Sequence, residues 1–219
     1  MLKRLFHIFI VMYASCILTQ ELPHKDRNDN LLAVLIMVRN DVDVIIPTLQ
    51  PFIDTGITKF LVYDVGSTDN TPNKVRECFD AYGFEWAYVI EESFLDSATS
   101  YNRMLDLAEQ IFSDTTFVLM LQAEWYMHNI AELLNFCEKN KYHSASDSTN
   151  NCYRVRYMDD HYVTRLIRQG RNVRYEGPVF EYIVEQSGIV PDSIYFEEQN
   201  PEVLRIHQYF HDFGQWLYT

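Results

Sequence analysis

The sequence predicts an α/β protein: a mostly parallel sheet with helices on both faces, followed by antiparallel strands. Three observations predict it. Short apolar runs alternate with segments of helical period between residues 31 and 139, the pattern of strands covered on both sides. Polar residues collect directly after those runs. Beyond about residue 140 the helical period stops, and short Tyr- and Arg-rich stretches follow, as in hairpins.

Each element can be justified in turn. Residues 1–19 carry a basic head, Lys3 and Arg4, before an apolar run from Leu5 to Leu18. That run is shorter than the roughly 20 residues that span a bilayer. It reads as a secretory signal or a short membrane anchor. The expectation is a secretory or membrane-associated location, with membrane association through the N-terminus. Residues 20–30 are polar and read as a linker, leaving 31–219 as a single domain.

Within that domain, residues 31–38 are continuously apolar and predict a buried strand. Residues 42–53 have helical spacing, with Pro47 in the first turn and Gly56 ending the helix. A second strand is predicted over 59–63. Ser67, Thr68 and Asp69 offer capping oxygens for a helix over 71–80. A third strand follows at 84–90 and a helix at 98–112. A fourth strand covers 116–121, and a last helix 127–139.

Composition narrows the function. The chain of 219 residues has a formal net charge of −13, which excludes a nucleic-acid polymer as partner because no basic face would displace its counterions. A nucleotide is not excluded. Cys78, Cys137 and Cys152 show no CxxC or finger spacing, so no structural zinc site is expected. Cys137, on an apolar helical face, predicts a core residue. A Walker A loop and a GxGxxG turn are both absent, which counts against an ATPase and a dinucleotide oxidoreductase.

In a doubly wound sheet, ligands bind outside the carboxyl ends of the strands. Those ends are Arg39-Asn40-Asp41, Asp64-Val65-Gly66-Ser67-Thr68-Asp69 and Gln122-Ala123-Glu124. With Tyr101-Asn102-Arg103, Arg165-Leu166-Ile167-Arg168 and Val173-Arg174-Tyr175-Glu176-Gly177 in order behind them, these blocks resemble glycosyltransferase family 2. The similarity spans about residues 31–181. It implies a GT-A-like fold, with a Rossmann-like sheet and C-terminal antiparallel strands, and it implies a nucleotide-sugar donor and a hydroxyl acceptor.

The resemblance also implies roles. Asp64 would meet the nucleobase, Asn40 the ribose, and Arg39 the diphosphate. Arg165, Arg168 and Arg174 are further cations for the diphosphate. Two departures stand out. The family's Asp-x-Asp aligns with Gln122-Ala123-Glu124, which leaves Glu124 as a hard oxygen ligand for Mn2+ or Mg2+ in a weakened site. Its usual Val-His-Glu aligns with Val179-Phe180-Glu181, which leaves Glu181 as general base. His207 is a candidate for the metal, and Trp125 for stacking on donor or acceptor. The leading expectation is an inverting hexosyltransferase. The alternative is an inactive relative that binds a sugar or a protein.

Overall fold

The computed structural model describes residues 30–142, 150–157, 161–177, 182–183 and 187–199. The N-terminal signal or anchor and nearly all of the linker lie outside the described residues, so those expectations stay with the sequence. Among the described residues, no helix is long and apolar enough to cross a membrane.

The first strand, β1 (Leu32–Val38), is buried along almost its whole length, as its unbroken apolar run requires. It lies between β2 (Phe60–Asp64) and β4 (Phe117–Gln122), parallel to both. Beyond β2, β3 (Ala87–Glu91) forms the edge. Helix α1 (Ile45–Asp54) buries Ile45, Leu49, Phe52 and Ile53, the i, i+4 stripe of its sequence. Helix α2 (Thr71–Tyr82) ends at Gly83, whose φ of +66° suits a residue without a Cβ. Helix α3 (Ser97–Ile111) starts at Asp96, whose carboxylate accepts the Thr99 N–H at 2.8 Å. Helix α4 (Ile130–Asn140) follows.

Two apolar clusters cover the two faces. One packs the apolar stripes of α1, α2 and α4 against the sheet, and the other packs that of α3. Helices on both faces are therefore as expected. The second half adds β6 (Cys152–Tyr157) and β7 (His161–Arg168), antiparallel to each other, with β7 antiparallel to β4. Short strands complete the structure: β5 (Trp125–His128), β8 (Tyr175–Glu176), β9 (Tyr182–Ile183), β10 (Gly188–Ile189) and β11 (Tyr195–Glu198). The main sheet runs β3-β2-β1-β4-β7-β6-β11-β5, with β10 on β6.

Two expectations are corrected. The helix expected over 127–139 starts only at Ile130, because Trp125–His128 form a strand paired with β11. Trp125 and Met127 alternate inward with the half-exposed Tyr126 and His128, a period of two that a four-residue stretch barely displays. Ser67 does not cap α2. Its hydroxyl accepts the Asn40 N–H at 2.9 Å instead, and Asp69 alone serves the helix start, accepting the Thr71 N–H at 2.9 Å. Cys137 is fully buried, as its helical face predicts.

Candidate functional site

Parallel register carries three strand ends to the same edge. Val38 lies beside Asp64, and Met37 beside Gln122. Directly beyond these pairs, Arg39, Asp41, Gln122 and Glu124 line a cleft of about 300 Å³ with Val65, Phe94 and Ser97.

The first two loops at this edge are laced together. Asn40 adopts a left-handed backbone, φ +61°, which asparagine tolerates better than most residues. Its N–H donates to Ser67 and its side-chain oxygen accepts the Thr68 N–H at 2.7 Å. Next along, the Asp41 N–H donates to the Thr71 hydroxyl at 2.8 Å, while the Asp41 carbonyl accepts the N–H groups of Val44 and Ile45 at the start of α1. Asn40 therefore holds the loop, the plainer of the two roles that its position allows.

Asp64 is 2% exposed. One carboxylate oxygen accepts the N–H groups of Gly66 and Ser67 at 2.9 and 2.8 Å. The other is enclosed and has no hydrogen-bond partner. Gly66 makes this turn with φ +102°, where a side chain would be strained.

Asp41 is a member of the site that the sequence places in a polar cluster without giving it a role. Burial pushes its carboxyl up to about 6. The Arg39 N–H, which donates to it at 2.6 Å, opposes that rise, and the charges of Glu124, Asp69 and Asp64 add to it. Burial also raises the Glu124 carboxyl, and the charge of Glu198 adds to that. Glu198 is 5% exposed and accepts the Tyr157 hydroxyl at 2.8 Å. It arrives on β11, too far along the chain for local patterning to tie it to Glu124. The Glu124 backbone is pinned by the Gln199 N–H on its carbonyl at 2.8 Å. The Gln122 amide donates to the Tyr101 hydroxyl at 2.9 Å.

The expected arginines do not gather here. Only Arg39 lines the cleft, and it is exposed. Arg165 is 4% exposed. Its guanidinium lies 4.7 Å from the Tyr101 ring centre, 5.1 Å from Trp125 and 5.5 Å from Tyr175, a cation packed within aromatic faces. Arg168 pairs with Phe117 at the opposite end of β4. There its guanidinium donates to the carbonyls of Asn140 and Lys141 at 2.6 and 3.3 Å. Antiparallel pairing thus sets Arg168 at the amino end of β4, about 16 Å from the cleft over the five residues from Phe117 to Gln122. Arg174 is spent on α3, donating to Asp106 at 2.8 Å and facing Glu109 at 3.8 Å.

Trp125 is also corrected. It is 4% exposed and packed between Tyr157 and Phe196, with ring centres at 4.7 and 5.1 Å. It belongs to the core rather than to a ligand surface. Glu181 and His207 lie outside the described residues.

The oxygens of Asp41, Glu124 and the Gln122 amide are hard donors, the class that suits Mn2+ or Mg2+. Among the described residues, no group of three or more His, Cys, Asp or Glu side chains is placed to hold a metal ion. The cleft thus brings two carboxylates and one neutral amide to a common lining, with one fewer charge than an Asp at 122 would give.

No family model matches the sequence, and no curated protein matches it. Solved structures do. A mannosyltransferase from Pyrobaculum calidifontis, in complex with GDP-Man and Mn2+, is 18% identical over 68% of this chain and 42% of its own, with a TM-score of 0.46. Glucosyl-3-phosphoglycerate synthase from Mycobacterium tuberculosis, in complex with Mn2+, UDP and phosphoglyceric acid, is 15% identical over 60% of this chain and 44% of its own, with a TM-score of 0.41. The chain thus spans less than half the length of either structure.

Proposed function

We propose that the chain transfers a sugar from a nucleoside-diphosphate donor to a hydroxyl acceptor, with inversion. The observation that carries this reading is the meeting of Arg39, Asp41, Gln122 and Glu124 in one cleft at the carboxyl ends of β1 and β4. These residues come from two separate blocks of the family resemblance. Arg39 would pair with the donor diphosphate. Asp64 would keep the Gly66–Ser67 turn in shape beneath the nucleoside. Gln122 would accept or donate a hydrogen bond to a sugar or ribose hydroxyl. Glu181 would take the acceptor proton as the hydroxyl attacks the anomeric carbon, and the nucleoside diphosphate would leave from the opposite face. A divalent cation held by Glu124 and Asp41 would supply positive charge to the departing diphosphate.

Isothermal titration with UDP- and GDP-sugars, with and without Mn2+, tests this. Binding of at least one donor, tightened by Mn2+, is expected; no binding by any donor overturns the reading.

A second reading has its own support. Gln122 removes a charge from the cation site, which favours a protein that binds a sugar without transferring it. Here Gln122→Asp discriminates. Transfer gained only in the variant favours the binder, and transfer by the wild type dismisses it.

A further inference from the structure

The connection Glu92–Asp96, between β3 and α3, presents two adjacent apolar side chains to solvent. Phe94 is 41% exposed and Leu95 is 74% exposed. Neither belongs to the two apolar clusters of the fold. The connection is anchored at both ends. Glu92 accepts two nitrogens of Arg103 and the Tyr63 hydroxyl, and Asp96 caps α3. Both apolar side chains are therefore held out by a braced backbone.

Ile189, 49% exposed, stands on the short strand β10 and is not among the residues lining the cleft, and the exposed aromatic residues Tyr82, Trp86 and Tyr142 have partners. Tyr82 stacks on Phe84, Trp86 lies beneath the Lys59 ammonium, and Tyr142 lies beneath that of Lys141. Phe94 instead forms a wall of the acidic cleft, beside Ser97. Arg39, Asp41, Gln122 and Glu124 line the cleft together with Met37, Val38 and Val65, and its volume of about 300 Å³ lies at the small end for ligand pockets. A donor sugar and diphosphate would fill it. An acceptor that reaches that sugar would then meet the Phe94 wall of the cleft, next to which Leu95 stands exposed.

We infer that the acceptor is amphipathic: a hydroxyl compound carrying an aromatic or aliphatic group, which packs on Phe94 and Leu95 while its hydroxyl points into the cleft. This rests on the sugar-transfer reading above, and it assigns these two residues to acceptor specificity. Exposed side chains outside the core can be changed with little effect on folding.

The test compares phenyl and hexyl glycosides of glucose, mannose and galactose with the free sugars, by ligand-observed NMR titration of the full chain and of the Phe94→Ser/Leu95→Ser variant. A preference of about tenfold or more for at least one glycoside is expected, since its apolar group leaves water on binding. The double variant should lose that preference and keep its Tm, while Leu95→Ser alone, which lies outside the cleft lining, should weaken the preference and keep the affinity for nucleotide sugars. Equal binding of glycosides and free sugars overturns the inference, and so does a preference that survives in the double variant. A wild-type dimer that the double variant abolishes, without glycoside preference, also overturns it and assigns the patch to self-association. Donor titration is read separately. Its failure alongside a Phe94-dependent glycoside preference would remove the transfer reading and leave the apolar subsite standing.

Discussion

The two ends of the parallel sheet treat buried charge in opposite ways. At the amino end, Lys59 is 4% exposed, and its ammonium reaches Asp114, Asn30 and Thr115 at 2.7, 3.1 and 3.1 Å. Close by, Arg168 clamps the last carbonyls of α4. At the carboxyl end, carboxylates face one another. Asp64 keeps an oxygen without a partner, and Asp41 holds its proton to about pH 6. Charge at the first end meets fixed acceptors, with only the Arg168 Nε left without one, and closes the fold. Charge at the second end is left unmatched, which costs stability and marks a place where a ligand completes the arrangement.

The largest effect should come from the amino end. Arg168→Met keeps an apolar stem over Phe117 but leaves the Asn140 and Lys141 carbonyls without their donor. A loss of about 3 kcal/mol in urea unfolding is expected, with nucleotide-sugar affinity of the folded protein unchanged. A variant of full stability with weakened donor binding would break the contrast and return Arg168 to the site.

The opposite sign is expected at Asp41. Its folded value of about 6 stands above the unfolded 3.8, so the folded state holds the proton longer. Stability contributed by neutral Asp41 is complete below about pH 4 and is lost as pH rises toward 6. Asp41→Asn cannot titrate, and its side-chain oxygen still accepts the Arg39 N–H. The variant should therefore gain on the wild type from pH 4 to 6 and hold an advantage of about 2 kcal/mol at pH 7.5, which is the roughly 3 kcal/mol of the full rise reduced because Asp41 is only partly buried. Paired urea titrations across pH 3.5–8 read the difference directly. A flat difference would mean that Asp41 is not strained by its surroundings. The gain in stability should come with weaker Mn2+ and donor binding.

The smallest effect is expected at Arg174, whose ion pairs with Asp106 and Glu109 are partly exposed. Arg174→Ala should cost about 0.5 kcal/mol and leave donor titration curves superimposable on those of the wild type. A large loss of affinity would move Arg174 from the flank of α3 into the cleft.

Much of this frame is legible in the sequence, and the illegible parts share a cause. Strands β1, β2 and β4 announce themselves because parallel strands buried on both faces need unbroken apolar runs, whereas β3 is a half-exposed edge strand. The polar clusters at their ends follow from the same rule. Arg165 and Arg168 could not be placed that way. They lie three residues apart on a strand, which turns them to opposite faces, and their height on the sheet depends on the antiparallel pairing of β7 with β4. Trp125 follows Glu124 directly, yet pairing with β11 turns it inward. Asp41 is visible as a polar neighbour of Arg39, but the charge of Glu124 that raises its carboxyl arrives from the far side of β1. Local chemistry could be read from the chain; long-range enclosure could not.

The lacing of the two loops through Asn40 has a mechanical consequence. Arg39 and the Gly66–Thr68 turn are joined across β1 and β2 by cross-links from one residue, so they move as a single leaf. A ligand that presses on the turn therefore also shifts the base of Arg39. One inserted residue in either loop would misalign both, which makes this the least length-tolerant stretch of the sheet's carboxyl edge.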